Sequence, residues 1–196
     1  MSAVESTRPP EENSRRMELI RAAAILFRDQ GYERTTVRDL GSAVGMQSGS
    51  LFYHFRTKEE ILVAVMALGI ASTTEQLATA LAAATDTREK LAALFRVHLH
   101  SLLGDNQAAL EVMLYEWRSV SESAKPGLVV LRDRYETLWQ QVLDEAADAG
   151  MVKQDTRLLR RTLLGSLHWT VQWYRRDGEL DVDALAQRML QLVLFD

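Results

Sequence analysis

The amino-acid sequence predicts an all-α fold of about nine helices. Apolar residues recur along most of the chain at the three- and four-residue spacing of a buried helix face. The chain has ten glycines but only three prolines, which favours long helices over a turn-rich sheet protein. No stretch alternates between polar and apolar residues as a half-buried strand does, and no internal repeat is visible.

The composition limits the kind of protein. A chain of 196 residues with 47% hydrophobic residues forms one domain of ordinary size, or a small module on a larger one. The absence of cysteine excludes disulfides and thiolate metal sites. The polar, proline-bearing start predicts a flexible arm over residues 1–13 rather than a signal peptide. The longest apolar run, residues 61–71, falls short of the roughly 20 residues that span a bilayer, so we expect a cytoplasmic protein without a membrane partner.

The first helix is predicted from its apolar spacing. Ile20, Ala23, Ala24 and Phe27 follow the i, i+3, i+4, i+7 pattern, and Gly31 ends the helix.

Two short helices and a longer one are predicted to follow. Thr36, with Asp39 three residues later, begins the second helix, and Gly45 ends it after about two turns. Gln47 or Ser48 begins the third. The fourth is predicted to start with a capping box formed by Thr57 and Glu60. The side chains expected to be buried in these three helices are Val37, Leu40, Ala43, Val44, Leu51, Phe55, Ile61, Leu62, Val65 and Leu68.

The remaining chain predicts five more helices, separated by turn and cap residues. Their expected ranges are 87–103, 106–120, 126–148, 155–176 and 181–195. The second and third helices, joined by a tight glycine-containing turn, form the helix-turn-helix pattern. This motif and the five later helices predict two domains. Residues 14–58 form the helix-turn-helix domain and residues 59–196 form a second helical domain.

The charge distribution favours nucleic acid as a partner of the first domain. The whole chain has a formal net charge of −4. Residues 13–58 nevertheless carry eight basic and four acidic side chains, a net charge of +4, so the rest carries −8. A basic end on an acidic body is expected where one end of the molecule meets phosphate.

The third predicted helix has a face suited to the major groove of DNA. Gly49 and Ser50 keep its first turn slim enough to approach base edges, while Gln47 and Ser48 donate and accept hydrogen bonds there. Further along the same segment and its neighbours, side chains suited to phosphate oxygens follow: Tyr53, His54 and Lys58. The alternative is a helical cap whose surface has no partner.

Residues 15 to about 66 resemble the DNA-binding domain of the TetR family of bacterial transcriptional regulators. The resemblance rests on AAAILFRDQGYERTTVRDLGSAVGMQSGSLFYHFRTKEEIL, including Gly45 and the LFYHFRTKEE run. Two departures affect the operator sequence and individual contacts. The family often has serine then lysine at Gln47 and Ser48, and its usual LYYHF contains Phe52 here. The resemblance implies DNA contacts at Thr36, Arg38, Gln47, Ser48, Gly49, Ser50, Tyr53, His54 and Lys58.

A homodimer is expected because one such headpiece covers too little DNA for tight and selective binding. The last two predicted helices carry wide apolar stripes and small residues that allow a second helix to approach. In the resembled family, these two helices pair with their mates in a four-helix bundle. The alternative is that they only close the core of their own protomer. The residues expected at the interface are Leu163, Leu164, Gly165, Leu167, Val171, Leu185, Met189 and Leu192.

Aromatic side chains in the second domain predict a site for a small-molecule effector, although such a stripe is more often plain core. Two tryptophans near the end of the eighth helix precede two arginines, an arrangement that holds an apolar group and an anionic one together. The alternative is that the arginines only complement the helix end. The expected ligand-binding residues are Phe95, Met113, Trp117, Tyr135, Trp139, Trp169, Trp173, Arg175 and Arg176.

The segments GSLHWTVQWYRRDGELD and RYETLWQQVLDEAADAGM resemble TetR-type regulators that respond to acyl-CoA thioesters. This resemblance implies an acyl-CoA effector of lipid catabolism. A hydrophobic drug or a free acid is the alternative.

The sequence predicts neither an enzyme nor a metal or cofactor site. His98 and His100 lie on different helix faces without a carboxylate at ligand spacing. No nucleophile elbow, glycine-rich phosphate loop or paired carboxylates are present. The expected function is a ligand-responsive repressor that binds a palindromic operator as a homodimer. An architectural DNA binder without an effector is the alternative from another class.

Overall fold

The computed structural model describes residues 10–104 and 106–195, except for the side chains of residues 10–12 and 48. Within these residues the chain forms nine α-helices and one short 3₁₀-helix, with no strand. The helices are α1 (Pro10–Gln30), α2 (Val37–Ala43), α3 (Ser48–His54), α4 (Lys58–Ala83), α5 (Thr87–Leu103), α6 (Gln107–Tyr115), α7 (Lys125–Asp148), α8 (Thr156–Trp173) and α9 (Val182–Gln191), and the 3₁₀-helix is Trp117–Ser119. The predicted all-α fold is confirmed.

Local hydrogen bonds begin the early helices. Thr36 and Asp39 form the predicted capping box, in which each side chain accepts from the other residue's backbone N–H. The predicted box at α4 is only half present. Thr57 Oγ1 accepts from the N–H of Glu60, but the Glu60 carboxylate accepts from the N–H of Arg56 at 2.8 Å instead of that of Thr57.

Three predicted helices are shorter than expected. The predicted 106–120 helix stops at Tyr115 and continues only as the 3₁₀ turn. The eighth helix ends at Trp173, where Tyr174 takes an extended conformation. The ninth ends at Gln191. Apolar residues follow the ends of the sixth and ninth helices, whereas Arg175 and Arg176 follow close after the end of the eighth.

The predicted N-terminal arm lies mostly outside the described residues. Residues 1–9 are not among them, and α1 already begins at Pro10, four residues before the predicted domain boundary. Proline is well tolerated in the first turn of a helix because the N–H it lacks has no helical partner there.

The apolar side chains form two clusters. One joins α1–α4 with parts of α6 and α7, and the other joins α5, α7, α8 and α9 with the second half of α4. Helix α4 therefore belongs to both, because Ile61 to Ile70 lie in the first cluster and Leu77 in the second. Of its predicted core residues, Leu68 is only partly buried. The first turns of α4 thus tie the headpiece, residues 13–57, to the helices that follow.

Helix α4 is also long and apolar enough to cross a membrane, judged by length and composition alone. It packs against α1, α5, α6 and α7, and the buried side chains along it are those of a core helix.

Candidate DNA-binding surface and effector cavity

The turn between α2 and α3 aims the third helix. Gly45 has a φ of +64°, a backbone conformation that glycine adopts without a steric penalty. Leu51 and Phe55 are 0% and 3% exposed and fix the inner face of α3 on the headpiece core.

The outer face of α3 is open. Gln47, Gly49, Ser50 and Tyr53 are all exposed, and no side-chain atom lies near the position that a Cβ on Gly49 would occupy. Tyr53 is 71% exposed, which is a large exposure for an aromatic side chain. The predicted Ser48 belongs to the same helix, but its side chain lies outside the described part of the chain.

Thr36 and Arg38 at the start of α2 are exposed as well. The Thr36 hydroxyl donates to the Asp39 carboxylate at 2.7 Å, which ties this side chain to the helix cap. Because of that bond, the pKa of the Asp39 carboxyl is lowered. Arg38 is an exposed cation in the first turn of α2.

His54 lies differently from its neighbour. It is partly buried, and it lines a groove between the headpiece and the body together with Phe55, Val63 and Ser121. Its ring meets that of Tyr53 edge-on at 5.5 Å. The sequence assigns both of these adjacent aromatic side chains to phosphate contacts. The structure exposes Tyr53 but leaves His54 partly buried.

Lys58 has acceptors inside the protein. Its ammonium donates to the backbone carbonyls of Tyr32 at 2.9 Å and Thr35 at 3.1 Å, and it stands 4.1 Å from the centre of the Tyr32 ring. These contacts hold the α1–α2 loop against the start of α4. A phosphate contact, which the sequence predicts, competes with them.

One carboxylate joins the headpiece to the body, and a second ties the start of α4 to the segment after the 3₁₀-helix. The N–H of Tyr32 donates to Glu116 Oε1 at 3.0 Å, and the Ser119 hydroxyl donates to the other oxygen of the same carboxylate. Glu59 accepts from the N–H of Ser121 at 2.7 Å. Since Glu116 follows directly after α6, any shift of α6 acts on the headpiece at Tyr32.

A cavity lies inside the body. Its volume is about 70 Å³, which is small compared with the 300–1,000 Å³ of ordinary ligand pockets. Helices α4–α8 all contribute to its lining, which is mostly apolar. The lining residues are Ile70, Thr73, His98, Leu102, Leu110, Met113, Leu114, Arg132, Tyr135, Glu136, Leu164 and His168.

One side of the cavity carries two stacked imidazoles. The His98 and His168 rings lie 5.1 Å apart at 32°, and His98 Nδ1 is 2.6 Å from the Tyr135 hydroxyl. Burial lowers the pKa of His98 well below its usual value, and the neighbouring His168 lowers it further. Burial also lowers the pKa of His168, to about 4. Both rings are therefore neutral at pH 7.

Another part of the lining is ionic. Glu136 pairs with Arg132 at 3.3 Å and with Arg160 at 3.1 Å. The Arg132 side chain is 45% exposed, so it lies where the cavity approaches solvent, and its guanidinium stands 6.0 Å from the Trp117 ring. This arrangement places a cation at the outer end of an apolar space.

The structure brings only two of the predicted ligand residues, Met113 and Tyr135, to the cavity lining. Phe95 and Trp139 are buried in the core behind it, with ring centres 5.9 Å apart. Trp117 lies at the outer end, near Arg132.

The predicted arginine–tryptophan mouth is not formed over the cavity. Trp169 and Trp173 are 65% and 49% exposed on the outer side of α8. Arg175 is exposed beside Asp177, and Arg176 donates to the Leu103 carbonyl and the Gln107 side chain. The expectation fails because the helical rotation carries the tryptophans away from the face that holds Leu167 and His168.

Half of the predicted dimer residues lie in the protomer's own core. Leu163, Leu164, Leu167 and Leu185 are at most 8% exposed, and Leu164 lines the cavity. These four close their own protomer and correct the expectation. Among the others, Gly165 and Leu192 are exposed, and Val171 and Met189 are partly buried.

The exposed side of α8 instead forms one stripe. Leu158, Thr162, Ser166, Trp169 and Trp173 are spaced by three or four residues and are all exposed, so they share one helix face. Gly165 adjoins this α8 stripe. An apolar face with small residues at its centre is typical of helix–helix interfaces.

Sequence reasoning missed His98, Arg132, Glu136 and His168. From the sequence, His98 is excluded as a metal ligand and has no other predicted role; the described residues contain no group of three side chains that suits a metal. The available signal was spacing: Arg132, Tyr135 and Glu136 follow the i, i+3, i+4 pattern, so they share a face of α7.

Comparison with known proteins bears on both parts of the chain. Residues 19–65 match the family described as "Bacterial regulatory proteins, tetR family", and residues 84–195 match "Tetracyclin repressor-like, C-terminal domain". The HTH-type transcriptional repressor KstR2 of Mycolicibacterium smegmatis is 29% identical over 191 residues, covering 95% of this chain and 92% of that protein.

Two further relatives are similar over nearly their whole length. The fatty acid metabolism regulator protein of Bacillus subtilis is 25% identical over 181 residues, 91% of this chain and 93% of that protein. The chain in the crystal structure of superantigen PfiT has 46% sequence identity to this one. The match covers 95% of this chain and 98% of that chain, with a TM-score of 0.83.

Proposed function

Since the chain belongs to the TetR family of bacterial regulators, we propose that it is a transcriptional repressor that an apolar effector releases from its operator. The observation that carries this proposal is the path from the cavity to the headpiece. Leu110, Met113 and Leu114 of α6 line the cavity, and Glu116, next to the end of α6, holds the N–H of Tyr32.

The small size of the cavity indicates how an effector would act on the headpiece. About 70 Å³ is too little for a lipid-sized molecule, so such an effector fits only if the surrounding helices move apart. The effector then binds the widened state more tightly than the compact one, which is the condition for a ligand to shift the equilibrium. Displacement of α6 by the effector would pull on Tyr32 and reorient α2 and α3.

The proposed DNA contacts use the exposed side of α2 and α3. Gln47, Ser48 and Ser50 would read base edges with Gly49 allowing close approach, while Thr36, Arg38 and Tyr53 would contact phosphates. Lys58 and His54 stay proposed contacts of a weaker kind, because the ammonium of Lys58 is engaged by carbonyls and His54 lines a groove.

A homodimer is proposed because a palindromic operator needs two recognition helices about one helical turn of DNA apart. The α8 stripe supports this assignment, with Trp169 and Trp173 exposed beside Gly165 and Ser166. The protein would act in the cytoplasm, with residues 59–196 serving as the effector and dimerisation domain.

For the effector we propose a lipid-derived molecule, with an acyl-CoA thioester as the first candidate. The relative from B. subtilis is named for fatty acid metabolism, and the cavity lining is mostly apolar. Arg132, which pairs with Glu136 and is 45% exposed, lies at its outer end, where an anionic group of the effector would compete for it. A drug or a free acid would use the same apolar space.

A mobility-shift assay on the DNA flanking the protein's own gene tests the proposal. The complex is challenged with CoA thioesters, free acids and uncharged apolar compounds of equal chain length. We expect a shifted band that at least one acyl-CoA thioester abolishes. A band that none of these compounds abolishes contradicts effector control and favours an architectural DNA binder.

A further inference from the structure

The stacked imidazoles contain a polar atom that the protein itself leaves unused. His98 is 5% exposed, and its Nε2 is buried without a hydrogen-bond partner among the described residues. Nearly all buried polar groups in native proteins have a partner, because an unpaired one costs about 1–3 kcal/mol. Because His98 is among the residues that line the cavity, the unpaired nitrogen on its ring indicates that a ligand supplies the partner.

The hydrogen bond on the other side of the ring decides what that partner is. Burial raises the pKa of the Tyr135 hydroxyl, so it keeps its proton. If this hydroxyl donates to His98 Nδ1, its hydrogen is satisfied and Nε2 carries the ring's own N–H. In the opposite tautomer the Tyr135 hydrogen would have no acceptor in the described part of the chain. The arrangement that pairs more groups therefore makes Nε2 a donor.

The surroundings of Nε2 favour an uncharged acceptor. His168 is also neutral, since burial lowers its pKa to about 4, and it faces His98 with its ring. The positive charges nearby are already paired: Arg132 with Glu136 at 3.3 Å and Asp133 at 3.4 Å, and Arg160 with Glu136 at 3.1 Å. A carboxylate at His98 would thus be buried without a free counter-charge, which is costly.

We propose that His98 Nε2–H binds an uncharged oxygen, a carbonyl or a hydroxyl, on the apolar part of the effector. This inference rests on the proposed function, because it assigns a chemical feature to the effector of the same cavity. A ketone and the carbonyl of a thioester share this feature, whereas a carboxylate and a plain hydrocarbon lack it. His168 is a positioning residue that holds the His98 ring through stacking.

The test begins with the unliganded full-length protein. ¹⁵N-histidine NMR at pH 7 reports which ring nitrogen of His98 carries the proton, with His98→Gln used for assignment. We expect a neutral ring protonated at Nε2. A ring protonated at Nδ1, or a charged ring, overturns the proposal whatever the ligand.

Binding is then measured by tryptophan fluorescence with two probes of nearly equal shape, 2-hexanone and 2-methyl-1-hexene, and with hexanoate and hexanoyl-CoA. Trp139 meets the His98 ring edge-on at 5.8 Å and serves as the reporter. We expect the preference for the ketone over the alkene to fall about tenfold in His98→Phe, in line with the loss of one buried hydrogen bond. His98→Gln, which retains a donor, should restore part of it.

The outcomes separate the two proposals. If both probes bind and the ratio of their affinities is the same in wild type and in His98→Phe, the cavity is an effector site but His98 does not bind the oxygen. If hexanoate binds more tightly than the ketone, the choice of an uncharged group is wrong. If neither the ketone nor hexanoyl-CoA binds, the effector site falls with the proposed function.

Discussion

The carboxylate of Glu116 accepts a hydrogen bond from the backbone N–H of Tyr32 at 3.0 Å. The two residues are 84 positions apart in sequence and belong to different parts of the molecule. Glu116 follows the helix that lines the cavity, and Tyr32 begins the loop that leads to α2. Tyr32 also offers its carbonyl to Lys58, so both of its backbone groups take part in the junction between headpiece and body.

Glu116→Ala is expected to loosen this junction. The Tyr32 N–H loses a charged acceptor, which lowers the free energy of local opening by about 1–3 kcal/mol. Amide exchange at Tyr32 should accelerate accordingly, and the effect of an effector on operator affinity should shrink. Glu116→Gln, which keeps an acceptor oxygen, should stay near wild type. Unchanged exchange in the alanine variant would show that the bond is not formed in solution.

Lys58→Met is expected to destabilise the headpiece by about 1–2 kcal/mol, because two backbone carbonyls lose a charged donor. Urea unfolding measures this loss. Operator binding at several salt concentrations separates a second role, since a lost phosphate contact lowers the salt slope by about one. We expect the slope to fall by much less than one, because the carbonyls hold the ammonium and leave it only a weak phosphate contact. A fall of about one would mean that Lys58 leaves the carbonyls for DNA; the exposed neighbour Arg56→Met is the control.

The helices were predictable because their signals are local. The Thr36 cap, the Gly31 and Gly45 stops and the apolar spacing within α1 each act over one or two turns. Helix ends such as the break after Tyr115 were not predictable. There the apolar pattern continues, while Glu116 is drawn to Tyr32 by a contact that only the folded chain creates.

Changes on the outer face of α3 should alter DNA binding in two different ways. Gln47→Ala and Ser50→Ala are expected to change which base pairs are preferred, at about 1–3 kcal/mol for a bidentate contact. Tyr53→Phe is expected to weaken binding to all sequences alike, because it removes a phosphate contact. Selection from a random duplex library followed by anisotropy titration distinguishes these outcomes. An unchanged preference in both alanine variants would place base reading elsewhere.

Trp169→Glu should convert the dimer into monomers. A carboxylate on the α8 stripe would be buried at the interface without a partner, which is costly. Sedimentation measures the mass, and operator affinity should fall by about 100-fold as the two-site advantage is lost. Gln141→Glu adds the same charge to an exposed site on α7 and should remain dimeric. A dimeric Trp169→Glu protein would exclude the α8 stripe as the interface.

Stability should fall between pH 7 and pH 5. The pKa of His168 is lowered from 6.5 to about 4 by burial, so in this range the unfolded chain binds protons that the folded one does not. Stability is therefore lost as pH falls, by about 2 kcal/mol at pH 5 from this residue alone. Denaturant unfolding of His168→Phe should show a flatter pH dependence, with the exposed His100→Gln as control. An equal slope in both variants would contradict the burial of His168.

The DNA-facing residues could be proposed from sequence because their exposure follows from the helical period around Leu51 and Phe55. The residues that line the cavity could not be predicted from the sequence. The cavity is assembled from five helices, and whether an aromatic residue lines it or packs behind it depends on how those helices are rotated. The sequence predicts both Trp139 and Trp169 as ligand-binding residues, yet Trp139 is fully buried and Trp169 is 65% exposed.

Reciprocal titration of operator and effector tests the link between cavity and headpiece most directly. Operator affinity is measured with and without saturating effector, and effector affinity is measured with and without saturating operator. We expect both affinities to fall by the same factor, as linkage requires, and we expect Glu116→Ala to reduce that factor. An effector that fills the cavity with the same affinity whether or not DNA is bound would contradict this expectation.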